Sequence, residues 1–272
     1  MTDRYAVFGN PIEHSKSPAI HRQFAEQTAQ AIDYQRQKVA LDGFGEAVRH
    51  FFAGGGRGLN VTVPFKLEAF QLADVLTTRA QTAGAVNTLW QDAQGQLWGD
   101  NTDGIGLVSD ITDNLGWSLT DKTVLILGAG GAVRGILQPL LEQHPAQVFV
   151  ANRTAAKAQD LAATFAELGS IAGGGFEAVS TPFDVIINGT SASISGELPP
   201  IAPQVIQANS HCYDMMYGAE PTVFLTWAQQ LGCTQLADGL GMLVGQAAES
   251  FKIWRGVKPQ TTPVIKALRE TI

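Results

Sequence analysis

A chain of 272 residues is too long for one small core and calls for two domains or one large one. Its 45% hydrophobic content and 29 glycines are those of a globular protein with many tight turns or ligand-facing loops. A net charge of -7 argues against a general nucleic-acid or anionic-membrane partner, yet a local basic pocket can still take an anion. Cys212 and Cys233 alone make no disulfide framework and no Cys-x-x-Cys. No apolar run is long enough to span a bilayer, and the start at Met1 leads into a strand rather than a signal peptide, so a cytoplasmic location is expected.

Taken in order, Tyr5 to Gly9 reads as a first strand. It runs into a loop from Asn10 to Pro18 whose prolines order it. Ser17-Pro18 opens a helix with Ile20, Phe24 and Ala25 on its apolar face. The hydroxyls of Ser15 and Ser17, with Lys16 between them, suit either turn and cap roles or the grip of a carboxylate. Asp33 to Val39 predicts a strand with an exposed face, and Phe44 to Phe52 a helix. From Leu59 to Lys66 polar and apolar residues alternate at period two until Pro64 closes the run. That period puts Asn60, Thr62 and Lys66 on one side of the chain and Val61 and Val63 on the other. A lysine just past such a proline either aims its amine into a cleft or sits on the surface. Gly84 to Trp90 is a further strand, Gln94-Gly95 a turn, and Leu97 to Gly99 the returning arm. Asp100-Asn101-Thr102-Asp103-Gly104 lacks the spacing and closing glutamate of a calcium loop. It reads as a turn with Asp103 as a candidate site carboxylate, and no metal is expected.

A helix from Gly106 to about Leu115 leads to the most informative stretch, Asp121 to Thr154. Thr123 to Leu127 is a β-branched apolar run, the signature of a buried parallel strand. Gly128-Ala129-Gly130-Gly131-Ala132 follows, then Val133, Ile136, Leu137, Leu140 and Leu141 at helical spacing, with Pro139 expected to bend or end the helix early. Gln147 to Ala151 is the second strand. Strand, glycine turn, helix and strand make a dinucleotide-binding unit, although Val133 stands where the usual third glycine falls. The glycines let backbone amides and the helix dipole approach a pyrophosphate. An NAD site places an acid at the end of the second strand. This chain has Asn152, Arg153 and Thr154, with Lys157 one turn on, which suits a 2′-phosphate and hence NADP(H). A helix over Ala155–Leu168, a loop and a strand over Asp184–Asn188 come next, with Gly189-Thr190-Ser191 beyond that strand's carboxyl end. Strands ending near Tyr217 and Gly239 follow. A helix with Leu243, Ala247, Phe251 and Trp254 and a last one over Pro263–Ile272 are expected to return to the first domain.

Several of these segments together resemble one family over nearly the whole chain. Ser15-Lys16-Ser17-Pro18, Asn60 to Lys66, Gly84 to Thr88, Asn101 to Gly104, Gly128 to Ala132 and Asp238 to Met242 come in the order of shikimate dehydrogenases. The resemblance implies an α/β fold with an N-terminal α/β substrate domain, a Rossmann-like NADP-binding domain and a cleft between them. The substrate domain would span 1–104, completed by helices in 240–272, and the cofactor domain 105–239. The implied reaction is the reversible NADPH-dependent reduction of 3-dehydroshikimate to shikimate, in aromatic amino-acid and chorismate biosynthesis, by a monomer or homodimer. Ser15 and Ser17 would bind the carboxylate. Asn60, Thr62, Asn87, Tyr217 and Gln246 would surround the ring with the catalytic Lys66 and Asp103. Gly128, Ala129, Gly130, Gly131, Ala132, Asn152, Arg153, Thr154 and Lys157 would hold NADP, and Met215 and Gly239 would flank its nicotinamide. Thr78 departs from the family, where an acid is common. Residue types alone leave open which of Lys66 and Asp103 carries the proton.

Overall fold

A computed structural model of the chain describes residues 2–190, 192 and 196–272, so Ser191 of the Gly189-Thr190-Ser191 turn lies outside the described residues. The chain divides into two compact units, 1–106 with 244–266 and 107–243 with 267–272.

The first unit contains β1 (Asp3–Gly9), α1 (Ser17–Thr28), β2 (Ile32–Lys38), α2 (Phe44–Ala53), β3 (Gly56–Val61), α3 (Lys66–Leu72), β4 (Val75–Leu76), α4 (Thr78–Ala83), β5 (Thr88–Gln91) and β6 (Leu97–Asp100), and the start of α5 (Asp103–Ser109). Its six strands order as β2-β1-β3-β5-β6-β4. β1 pairs in parallel with β2 and β3, whereas β5 runs antiparallel to β3 and β6. Phe8, Leu59, Val61 and Leu89 from the strands pack with Phe44, Val48 and Phe52 of α2 and with Phe65. The period-two run therefore does what its alternation requires as far as Val61. Past Pro64 the chain turns into a helix, and Lys66 is its first residue.

The second unit continues α5 into a π-helical turn, Asp110–Asn114, where the sequence predicts plain helix to Leu115. Then come β7 (Thr123–Leu127), α6 (Gly131–Leu141), β8 (Gln147–Ala151), α7 (Ala155–Phe165), β9 (Ile171–Gly174), β10 (Val185–Asn188), β11 (His211–Asp214), α8 (Val223–Gln230) and β12 (Gln235–Asp238). Two helices close the chain, α9 (Leu240–Arg255) and α10 (Thr262–Arg269). The sheet is wholly parallel in the order β12-β11-β10-β7-β8-β9. This is the doubly wound dinucleotide-binding order, with its switch point between β7 and β10. Val124 and Ile126 face one core with Val133, Ile136 and Leu140 of α6, while Leu125 and Leu127 face another with Phe224 and Leu225 of α8. Burial on both faces is why β7 is apolar at nearly every position.

Two further expectations change. α6 runs through Pro139 to Leu141, because the proline sits in the last turn and removes only one helical amide. β9 replaces an expected loop. Its Ile-Ala-Gly-Gly sequence has no strand signature, and a Cβ on Gly173 would overlap the Ala158 carbonyl of α7. Contact with the helix, rather than propensity, makes that strand.

His21 of α1 is fully buried in the first unit, its ring stacked 4.0 Å from Tyr34 and tilted against Trp254 at 5.5 Å. Neither ring nitrogen has a hydrogen-bond partner among the described residues. Burial lowers its pKa to about 3, against an opposing influence from Asn60. The unfolded chain then takes up a proton below about pH 6.5 that the folded chain refuses until about pH 3, so this share of stability is complete above pH 6.5 and declines as the pH falls. His21→Phe should flatten urea-unfolding free energies between pH 6 and 4 by about 1.4 kcal/mol per pH unit relative to the parent. Parallel pH profiles for the two proteins would contradict the assignment.

Candidate active site

The first unit joins Asn60, Lys66, Asn87, Asp103 and Gln246 in one hydrogen-bonded group. Lys66 heads α3 and Asp103 heads α5. A carboxylate at a helix start suits the dipole, whereas a cation there does not. Lys66 is held in that unfavourable place by Asp103, with Nζ donating to Oδ2 at 2.5 Å. The pair is only partly shielded, with side-chain exposures of 33% and 15%. The other carboxylate oxygen, Oδ1, accepts from Asn87 Nδ2 at 2.8 Å. Asn87 Nδ2 also lies 3.5 Å from Gln246 Oε1 of α9. The turn that carries Asp103 is clamped as well. Asn101 Oδ1 accepts from the Asp103 backbone N–H, and the buried Asp100 accepts from Thr77, from Arg79 through two guanidinium nitrogens and from the Asn101 N–H.

Asn60 is buried with both sides of its amide engaged inside the protein. Tyr34 donates to its Oδ1, and its Nδ2 donates to the Asn87 carbonyl, Thr88 and Ser250. Thr62 is half-buried and close to Gly9, where any Cβ would overlap its methyl. Ser15 Oγ accepts from the Ser17 backbone N–H at 3.3 Å, and no side chain caps α1. Arg36 donates to the carbonyls of Glu13 and Ser15 and so braces the serine loop from β2.

In the second unit, the start of α6 has no capping side chain. Gly130, Gly131 and Ala132 are exposed, and a Cβ on Gly130 or Gly131 would meet nothing within 4 Å. Gly128 has φ of 103°, and its Cβ would press on the Gly189 carbonyl across the switch point. Free amides, a positive dipole end and open room suit a phosphate. After β8, Asn152 Nδ2 bonds the Thr154 carbonyl at 3.0 Å and shapes the turn. Arg153 and Lys157 are exposed and form no ion pair among the described residues. These residues fit a nucleotide with an extra phosphate. At the carboxyl ends of β10 and β11, the fully buried Asn188 and Asp214 are tied at 3.1 Å, and each also bonds the chain that follows it. That brace, which no sequence pattern announced, sets the backbone at Gly189 and Met215. Met215 lies against Gly239, where a Cβ would overlap the Met215 carbonyl. Burial raises the Tyr217 pKa, and nearby Asp238, itself paired with Arg269, adds to the rise.

Fold and site thus define a dinucleotide-binding α/β protein with a second α/β unit that presents a lysine–carboxylate pair. Known proteins narrow that class. A family model for the shikimate dehydrogenase substrate binding domain matches residues 7–89, one for shikimate / quinate 5-dehydrogenase matches 109–195, and one for the shikimate 5'-dehydrogenase C-terminal domain matches 239–269. The shikimate dehydrogenase (NADP(+)) of Cellvibrio japonicus is 60% identical over 100% of this chain and 99% of its own length. A crystal structure of an Ael1 enzyme from Pseudomonas putida superposes with a TM-score of 0.93 at 46% identity, covering 98% of each chain. Shikimate 5-dehydrogenase from Thermus thermophilus, solved in complex with NADP(H) and shikimate, gives 0.87 at 30% identity over 100% of both chains. The chain belongs to the shikimate dehydrogenase family.

Gly239→Ala tests the close approach of β12's end to Met215. Overpacking against backbone should cost at least ~1–3 kcal/mol in denaturant unfolding. A variant of parental stability would mean that the two segments separate freely.

Proposed function

We propose that this chain catalyses the reversible NADPH-dependent reduction of 3-dehydroshikimate to shikimate, with Lys66 and Asp103 handling the proton. The observation that carries the site assignment is the 2.5 Å Lys66–Asp103 contact, with Asn87 on the second carboxylate oxygen. The unit with 1–106 is then the substrate domain and the unit with 107–243 the cofactor domain. The exposed amides of Gly130, Gly131 and Ala132 would hold the pyrophosphate, with Gly128 and Ala129 shaping the turn. Asn152, Arg153, Thr154 and Lys157 would hold the 2′-phosphate, and Met215 and Gly239 would line the nicotinamide site. When bound, NADPH supplies the hydride. A small carboxylic acid as substrate, a cytoplasmic setting and either a monomer or a homodimer belong to the same reading.

Ser15 and Ser17 bind the substrate carboxylate on a loop whose carbonyls Arg36 fixes. Thr62 and Gln246 position the ring through its hydroxyls, and Asn87 does so from beside Asp103. Asn60, saturated by internal bonds, supports Asn87 rather than touching the ring. Lys66 is the better proton donor of the pair. Its ammonium has three N–H groups and uses one on Asp103, whereas both Asp103 oxygens already accept bonds. In reduction, an N–H proton of Lys66 passes to the ring oxygen as the carbonyl becomes an alcohol, and solvent reprotonates the amine. Asp103 holds the amine in line and accepts from a neighbouring ring hydroxyl. Oxidation of shikimate reverses each transfer.

Positioned proton transfer is typically worth ~10²–10⁴-fold. Lys66→Ala should lower kcat by an amount in that range while NADP affinity and the melting temperature stay near the parent's, and near-normal turnover would remove Lys66 from the reaction. Arg153→Ala removes charge-assisted bonds worth roughly 1.5–3 kcal/mol each. NADP binding, followed by fluorescence titration, should weaken far more than NAD binding. Equal losses for both would show that Arg153 does not read the 2′-phosphate.

A further inference from the structure

A buried line of hydrogen bonds crosses the first unit from β2 to Asp103, and two backbone groups set its direction. The Asn87 carbonyl can only accept, so Asn60 must turn Nδ2 toward it, at 3.1 Å. Asn60 Oδ1 then faces Tyr34, whose hydroxyl must donate, at 2.7 Å. At the other end the Thr102 backbone N–H can only donate, so Asn87 turns Oδ1 toward it, at 3.0 Å, and Nδ2 toward Asp103, at 2.8 Å. Thr88 joins the two amides. Its Oγ1 receives Asn60 Nδ2 at 3.2 Å and donates to Asn87 Oδ1 at 2.8 Å. Every bond in the line thus donates toward the carboxylate that Lys66 closes. Bonds aligned in this way in a low-dielectric interior polarise one another, and a gap in them is costly.

Tyr34 is well placed to anchor the start of the line. Its ring is stacked on His21 at 4.0 Å and 7°, so it cannot swing aside. Burial raises its phenol pKa well above the ordinary value, with a hydrogen bond to Ser17 opposing, so the hydroxyl remains a donor. Without that hydroxyl, Asn60 Oδ1 loses the 2.7 Å bond it accepts, in a site where Asn60 is 5% exposed. The Asn60 amide is then held from its Nδ2 side alone, by the Asn87 carbonyl, Thr88 and Ser250, and Thr88 is one of the groups that hold Asn87 Oδ1.

We propose that Tyr34 is a positioning residue for the Lys66–Asp103 pair, acting through Asn60, Thr88 and Asn87 on the geometry of the carboxylate. The inference rests on the reading that this pair handles the proton. It is tested by steady-state oxidation of shikimate with NADP, comparing Tyr34→Phe and Thr88→Val in the parent and in the Asp103→Asn background. Thr88→Val keeps the side-chain shape, breaks the line one step closer to Asp103, and reports even if Tyr34→Phe does not fold. In the parent each should lower kcat by roughly 3- to 30-fold, short of the ~10²-fold cost of a 1 Å misplacement, with KM for shikimate and NADP within about twofold. In the Asp103→Asn background the same substitutions should change kcat by less than about twofold, since residues acting as one unit are non-additive. Equal losses in both backgrounds, or a raised KM with kcat intact, would overturn the inference alone. Unchanged kcat in Asp103→Asn itself would overturn the proton reading and this inference with it.

Discussion

Asn87 is the residue on which the first unit depends. Its backbone N–H donates to the Asp100 carbonyl, and its carbonyl accepts from the Val61 N–H, so β3, β5 and β6 meet through it. Its side chain, 2% exposed, must find partners for an amide oxygen and two N–H groups inside the protein. It does so on Thr88, Thr102 and Asp103. Satisfying one buried amide therefore fixes the turn that carries Asp103. Asp100 completes the clamp from the other side, bound by the Arg79 guanidinium and the Thr77 hydroxyl. Asp103 is thus set by a polar core, and a core of that kind tolerates few half-measures.

The second unit solves a similar problem at its switch point. Asn188 and Asp214 end neighbouring parallel strands, and both are fully buried. Each uses one side-chain oxygen to take up an N–H of the chain just beyond its strand. Loops leaving a parallel sheet at its carboxyl ends are thereby held in one shape, which is what a ligand at that edge needs. Gly128 and Gly239 serve the same end by leaving out side chains where backbones nearly touch.

Charge is distributed against the overall balance. The chain is acidic, with net charge -7, yet Arg153 and Lys157 lie exposed without a carboxylate partner among the described residues. Lys66 stands at a helix start, where a cation is disfavoured. Placements that stability alone would not select are those that a ligand or a reaction explains. Arg79 is a contrast, because its guanidinium is spent on Asp100 and Glu249 inside the protein.

How much the amino acids revealed depended on the range of the interaction. The strands β7 and β8 were legible to the residue, and α6 was legible in its spacing though not in its passage through Pro139, since a β-branched run, a glycine turn and helical spacing are local signals. Lys66 and Asp103 were legible as candidates, and so was the missing acid near Arg153. Other features were not. Tyr34 sits in the polar run Asp33 to Lys38, where nothing distinguishes a buried donor from an exposed ring. The strand β9 and the helices α4 and α8 carry no clear period, and the brace between Asn188 and Asp214 joins residues 26 apart. The sequence by itself determined the elements whose signals lie within one turn or one strand, and the kind of cofactor chemistry they present. Only the tertiary structure decided which buried polar groups meet, because a hydrogen bond between Tyr34 and Asn60 or Asn87 and Asp103 exists only once the sheet has brought distant segments to within 3 Å.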